Sequence, residues 1–209
     1  RYPGDTQLQQ RIVDIWTEAG SAAVDVDRVR RFVNAQGDAQ MKVALGHGAA
    51  TCSYRDWLGA DLIVLFGSNT PNNQPVTTKY LYEAQKNGCE IAVVNTYREP
   101  GLARYWVPSN TESALFGTKL ARHWFDVHTG GDLTFLIGVL RALVEAGGVD
   151  EAFVRAHTVG FAAAEQAALG CSFSDLAEES GASEADMRRF AALLVARPNA
   201  IFVWSMGLT

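Results

Sequence analysis

Gly67, Ser68 and Asn69 directly follow an unbroken apolar run, Leu62 to Phe66, and Asn95 to Arg98 follow a second, Ile91 to Val94. Small and polar residues at the carboxyl ends of two parallel strands form the layout of a nucleotide site, because ligands of open α/β sheets bind just beyond those ends. An ordinary strand-to-helix turn at Gly67 to Asn69 is the alternative. A third candidate is Asp132 in His128-Thr129-Gly130-Gly131-Asp132, placed ahead of a long apolar helix pattern where a carboxylate commonly caps the first turn. The four histidines, His47, His123, His128 and His157, share no metal-ligand spacing. Gly46-His47-Gly48 follows no clear strand and lacks the remaining glycine of a dinucleotide fingerprint.

The elements that must position these residues can be read from periodicity. Both apolar runs lack helical period, as strands covered on two faces do. Between them Pro75 opens a helix to Asn87, with Val76, Tyr80 and Ala84 on one stripe and Gly88 as its stop. Thr51 is placed to cap a short helix through Trp57. Tyr97 to Thr118 shows no convincing period and reads as a long ordered loop with a helical turn near Ser113 to Lys119. His123 to Val127 is a further short strand, followed by a helix whose apolar face is read as Leu133, Leu136, Ile137, Leu140, Leu143 and Val144, ending at Gly147-Gly148. Asp150 caps the next helix, Ser183 with Asp186 resembles a capping box for Glu184 to Ala196, and Pro198 ends that helix. Ala200 to Trp204 is a last strand.

Alternating strands and helices indicate an α/β fold, Rossmann-like with three layers (αβα) and a mainly parallel sheet. The closing strand and its Ser205-Met206-Gly207 turn should introduce another helix, so the sheet reads as incomplete at the C-terminus. Residues 1–50 read as a helical N-terminal segment, with Leu8, Ile12, Ile15 and Ala19 at helical spacing, and 51–209 as a partial dinucleotide-binding domain. At 209 residues and 48% hydrophobic the chain can bury a substantial core. A net charge of -5 argues against a general nucleic-acid or anionic-membrane surface. The three scattered cysteines, Cys52, Cys89 and Cys171, suggest a reducing compartment, hence a cytoplasmic location, and no apolar stretch reaches the length of a membrane span.

Taken in order, DLIVLFGSN, EAQKNGCEIAVVNTYREPG, YWVPSNTESALFGTKLA, HTGGDLTFLIGVL, VDEAFVRAHTVGF and IFVWSMGLT resemble the molybdopterin oxidoreductases of the dimethyl sulfoxide reductase class, and within it formate-dehydrogenase-like alpha subunits. The resemblance spans roughly Met41 to Thr209 and rests on the order of several short motifs. It implies a Rossmann-like region holding a bis(molybdopterin guanine dinucleotide) cofactor. Gly67, Ser68 and Asn69 would then approach the dinucleotide, with N–H groups of the turn open to its pyrophosphate. Asn95 stands where the family commonly has an aspartate suited to ribose hydroxyls, so it keeps a hydrogen bond without the charge. Arg98 matches an arginine able to pair with phosphate. Asp132 matches an acidic residue at a helix start that resembles a guanine selector, since one carboxylate can accept from both N1–H and N2–H. Ser205 and Gly207 fall in a matching loop.

The family's iron-sulfur cysteine cluster has no counterpart here, and Asn34 to Gln40 offers no sulfur ligand where one to molybdenum is expected. Chemistry would therefore depend on the remaining domains of a parent enzyme and on an electron-transfer partner. The rival of a different class is a non-catalytic nucleotide-binding or assembly module that has lost its metal centre. A plain NAD or flavin domain is disfavoured, because no G-x-G-x-x-G follows Phe66.

Overall fold

Five consecutive apolar residues, Leu62–Phe66, form strand β1, and every one of them is fully buried. Such a run can be accommodated only where both faces of the sheet are covered. In the computed structural model, which describes residues 52–108 and 110–204, β1 lies inside a four-stranded sheet with β2 (Glu90–Asn95), β3 (His123–Asp126) and β4 (Ala200–Trp204). The order is β3-β2-β1-β4 and all three pairings are parallel. The expected helical segment 1–50, Thr51, and the loop with Ser205 and Gly207 lie outside the described residues.

Strand periodicity divides the core in two. Leu62, Val64, Phe66, Ala92, Val94 and Phe125 face a layer that contributes Phe135, Val139, Phe173, Met187 and Phe190. Ile63, Leu65, Ile91 and Val93 face Trp57, Leu81, Ala84, Leu102 and Leu120 on the other side. The result is the three-layer Rossmann-like arrangement expected from the sequence.

A 3-10 turn over Asp56–Gly59 precedes β1. Helices α1 (Thr70–Asn73) and α2 (Thr77–Lys86) join β1 to β2. Of the stripe read for α2, Ala84 is buried and Tyr80 packs against the core, but Val76 is exposed and lies outside the helix, and Thr77, Thr78, Leu81 and Tyr82 complete the buried face. Residues 97–118 contain two short helices, α3 (Pro100–Ala103) and α4 (Thr111–Phe116). Buried Ser113 ties this connection together: its hydroxyl donates to the Tyr105 carbonyl at 3.2 Å and accepts from the Val107 N–H and the Thr118 hydroxyl at 2.8 Å each.

After β3, α5 (Asp132–Glu145) packs on the sheet with Thr134, Phe135, Gly138, Val139 and Ala142 buried. This corrects the face read from the leucines; Leu133 is exposed, and Leu136, Ile137 and Leu143 pack at the margin of the core. Small residues at 138 and 142 let neighbouring helices approach closely, and leucine counting does not register them. Helices α6 (Glu151–His157), α7 (Phe161–Gly170), α8 (Phe173–Ser180) and α9 (Glu184–Ala196) follow. Asp150 and Ser183 cap α6 and α9 as expected, accepting from the N–H groups of Phe153 and Asp186. Helices α7 and α8 were not anticipated: the alanine-rich α7 buries a single alanine and so has little period to read. Among the described residues no helix is long and apolar enough to cross a membrane.

Candidate functional site

The carboxyl ends of β1, β2 and β3 and the start of α5 enclose a recess of about 150 Å³, lined by Gly67, Asn95, Thr96, Thr129, Gly130 and Asp132. Three of the residues singled out from the sequence, Gly67, Asn95 and Asp132, thus come together from positions 28 and 37 residues apart along the chain. At about 150 Å³ the recess is smaller than the roughly 300 to 1,000 Å³ of a complete small-molecule pocket, so it would take only part of an extended ligand.

Each wall follows from local chemistry. Gly67 adopts a left-handed φ of 52°, and its N–H donates to the Val94 carbonyl at 3.0 Å, which binds the loop after β1 to the end of β2. That N–H is consequently engaged within the fold, and Gly67 offers the recess a surface without a side chain. Asn95 ends β2 with its Oδ1 accepting the Thr96 N–H at 2.8 Å, while its carbonyl accepts the Val127 N–H at 3.1 Å. Gly130 has φ 81°, and a Cβ built there would meet no atom within 4 Å. The turn therefore leaves open space at the mouth of α5.

Asp132 is the first residue of α5, and Gly131 occupies the N-cap position with no side-chain bond. The cap reading of the Asp132 carboxylate is thereby replaced: its side chain sits in the first turn, near the positive end of the helix dipole. Burial pushes its carboxyl above the ordinary 3.8, opposed by a hydrogen bond from its own backbone N–H. It is the one ionisable side chain among the six that line the recess.

The remaining candidates sit elsewhere. Ser68 is buried and shares a hydrogen bond with Thr70 Oγ1 at 3.0 Å. Asn69 donates from Nδ2 to Glu99 Oε2 at 2.7 Å, and its Oδ1 is buried without a hydrogen-bond partner among the described residues. Arg98 turns to the outer edge, forming a two-pronged pair with Asp126, its Nη2 2.8 Å from Oδ2, over the Trp124 ring. This pairing raises the Arg98 pKa, through the hydrogen bond and charge of Asp126, and leaves the guanidinium committed to an exposed salt bridge. Thr96 falls within the Asn95-to-Arg98 loop named from the sequence, whereas sequence reasoning missed Thr129, Gly130 and Glu99. The signal for Thr129 and Gly130 was present in the His128-to-Asp132 motif, of which only the aspartate was singled out.

No family model matches the chain. It is 31% identical over 173 residues to an uncharacterized oxidoreductase of Mycobacterium tuberculosis, covering 79% of this chain and 22% of that protein. It is 23% identical over 185 residues to formate dehydrogenase H of Escherichia coli, covering 88% of this chain and 24% of the enzyme. The fold matches that of acetylene hydratase from Pelobacter acetylenicus with a TM-score of 0.64 and 19% identity, over 84% of this chain and 21% of that one. The chain thus spans under a quarter of the length of these relatives.

Proposed function

Because the chain is similar over most of its length to the molybdopterin oxidoreductases of the dimethyl sulfoxide reductase class, we propose that it holds the guanine dinucleotide of a molybdopterin cofactor in a formate-dehydrogenase-like oxidoreductase. The observation that carries this reading is the recess itself, built from the carboxyl ends of parallel strands and containing a buried carboxylate with no side-chain partner among the described residues, at the start of a 14-residue helix.

The residues fit such a group. Asp132 presents two acceptor oxygens to a base edge that carries two donors, and ligand N–H groups would restore the hydrogen bonds that burial removes. Gly67 and Gly130 keep side chains out of the path of a flat ring. Asn95 and Thr96 supply polar groups at the strand end, where a ribose would lie. When bound, the cofactor supplies the metal-centred redox chemistry; the part of this chain is to bind, orient and shield the nucleotide.

Asp132→Asn tests the assignment. It replaces one acceptor with an amide donor facing the donors of guanine, so guanine-nucleotide affinity of the full-length protein falls by roughly 2 to 4 kcal/mol. Equal cofactor occupancy of variant and wild type under limiting cofactor would move guanine recognition elsewhere.

A further inference from the structure

In the turn that joins β3 to α5, Thr129 and Gly130 line the recess, as does Asp132 beyond them, whereas His128 and Gly131 are gripped by the corner between α8 and α9. The His128 N–H donates to the Ser180 carbonyl at 2.7 Å, and the Gly131 N–H closes the turn onto the His128 carbonyl at 2.9 Å. Gly131 rests on Ser180 so closely that a Cβ there would lie 2.7 Å from the Ser180 carbonyl oxygen. The His128 ring lies on Gly181, where a Cβ would stand 2.6 Å from its Cγ and Nε2. Resting on the nucleotide-binding reading above, we propose that Gly181 is a positioning residue for the recess: its bare Cα seats His128, and through His128 the α8–α9 corner sets the place of Gly130 and Asp132.

The corner is itself held firmly. Ser180 is fully buried, and its Oγ accepts the Ala182 N–H at 3.2 Å. Gly181 takes a left-handed φ of 76° and donates its N–H to the Ala177 carbonyl at 3.0 Å, which ends α8. At the other end of α8, Phe173 lies under the guanidinium groups of Arg141 from α5 and Arg188 from α9, 4.7 and 4.4 Å from its ring centroid. Glu145 pairs with both arginines, at 2.9 and 2.8 Å. Both ends of α8 are thus tied to α5, the helix that carries Asp132.

A side chain at 181 isolates the contact. Binding of guanosine diphosphate and adenosine diphosphate to the full chain is measured by calorimetry for wild type, for Gly181→Ala and for Gly181→Ala combined with His128→Ala, with thermal unfolding alongside. Gly181→Ala is expected to bind guanosine diphosphate about tenfold more weakly, the order of one hydrogen bond to a charged group. Removing the ring in the double variant makes room for the new Cβ and returns binding to within about threefold of wild type. Its unfolding midpoint stays lowered, because alanine at 181 keeps the left-handed strain. A merely structural glycine would move binding and midpoint together, and that result overturns the proposal. Should the alanine variant not fold, Gly181→Asn, which tolerates a left-handed φ, brings the same Cβ against the ring and is expected to show the same loss and rescue. Unchanged binding when 181 gains a side chain, or a double variant as weak as the single, overturns the positioning role and leaves nucleotide binding standing. The expected loss and rescue with no preference for guanosine over adenosine diphosphate supports Gly181 and sinks the guanine reading. A wild-type chain that binds neither nucleotide overturns both.

Discussion

Asp132 and Glu90 are carboxylates with opposite environments, and each makes a signed expectation about pH. Burial raises Asp132, so the folded state holds its proton more tightly than the unfolded chain. Stability from this group is fully present below the ordinary value of 3.8 and is lost as pH rises through the raised folded value. Asp132→Asn removes that loss, offset by the favourable interaction of a carboxylate with the helix N-terminus, about 0.3 to 1 kcal/mol. Denaturant unfolding at pH 7 should therefore find the variant within about 1 kcal/mol of wild type. A larger loss would mean that the carboxylate holds α5 in place and that its ligand role is secondary. At Glu90 burial also pushes upward, but the His123 hydrogen bond and the charges of Arg197 and Arg122 outweigh it and hold the carboxyl below 4.5. Its partners lie at 2.8 Å (Arg122), 2.8 Å (His123) and 3.0 Å (Arg197), joining β2 to the start of β3 and to the end of α9. The stability it contributes is present above pH 4.5 and disappears as pH falls through the lowered folded value. Glu90→Gln should cost roughly 1 to 3 kcal/mol at pH 7, with the gap to wild type closing below pH 4.5. A gap independent of pH would show that packing at Glu90, and not its charge, supports the strand.

At the scale of elements, two glycines separate close packing from mere helix weakness. A Cβ at Gly131 would stand 2.7 Å from the Ser180 carbonyl oxygen and 2.9 Å from the Ser180 Cα, backbone atoms at the end of α8. Gly131→Ala should therefore push α8 from the mouth of α5, costing about 1 to 3 kcal/mol and weakening nucleotide binding with it. Gly170, exposed at the end of α7, meets nothing within 4 Å and has no left-handed φ. Gly170→Ala should leave binding alone and stabilise by about 0.4 to 1 kcal/mol, through the smaller entropy of the unfolded chain. Thermal unfolding of the pair checks both, and equal shifts would contradict the distinction. The same contacts explain what could be read in advance. β1 was legible residue by residue, because a doubly covered strand needs nothing but apolar side chains. The buried face of α5 was not, because Gly138 is buried for its smallness against Met187, a property of the partner helix, and Ala142 joins the same core without a large apolar side chain to announce it. Asn95 and Asp132 were legible as polar residues at strand and helix ends. Arg98 could not be assigned from its position, since Asp126, the residue that captures it, comes from a different strand.

For the whole molecule, the order β3-β2-β1-β4 places β2 and β3 on one side of β1 and β4 on the other, so the topological switch point lies between the ends of β1 and β4. The recess lies on the β2 and β3 side, a placement suited to a base and sugar, while a pyrophosphate would run toward the switch point. Such an extended ligand requires more than the recess of about 150 Å³, in keeping with relatives of which this chain spans under a quarter. The central claim, that the region holds the guanine dinucleotide of a molybdenum cofactor, is tested most directly by denaturing the full-length protein purified from cells and quantifying what it releases. Guanine nucleotide and molybdenum in near-fixed proportion are expected; an adenine dinucleotide with no molybdenum would contradict the claim.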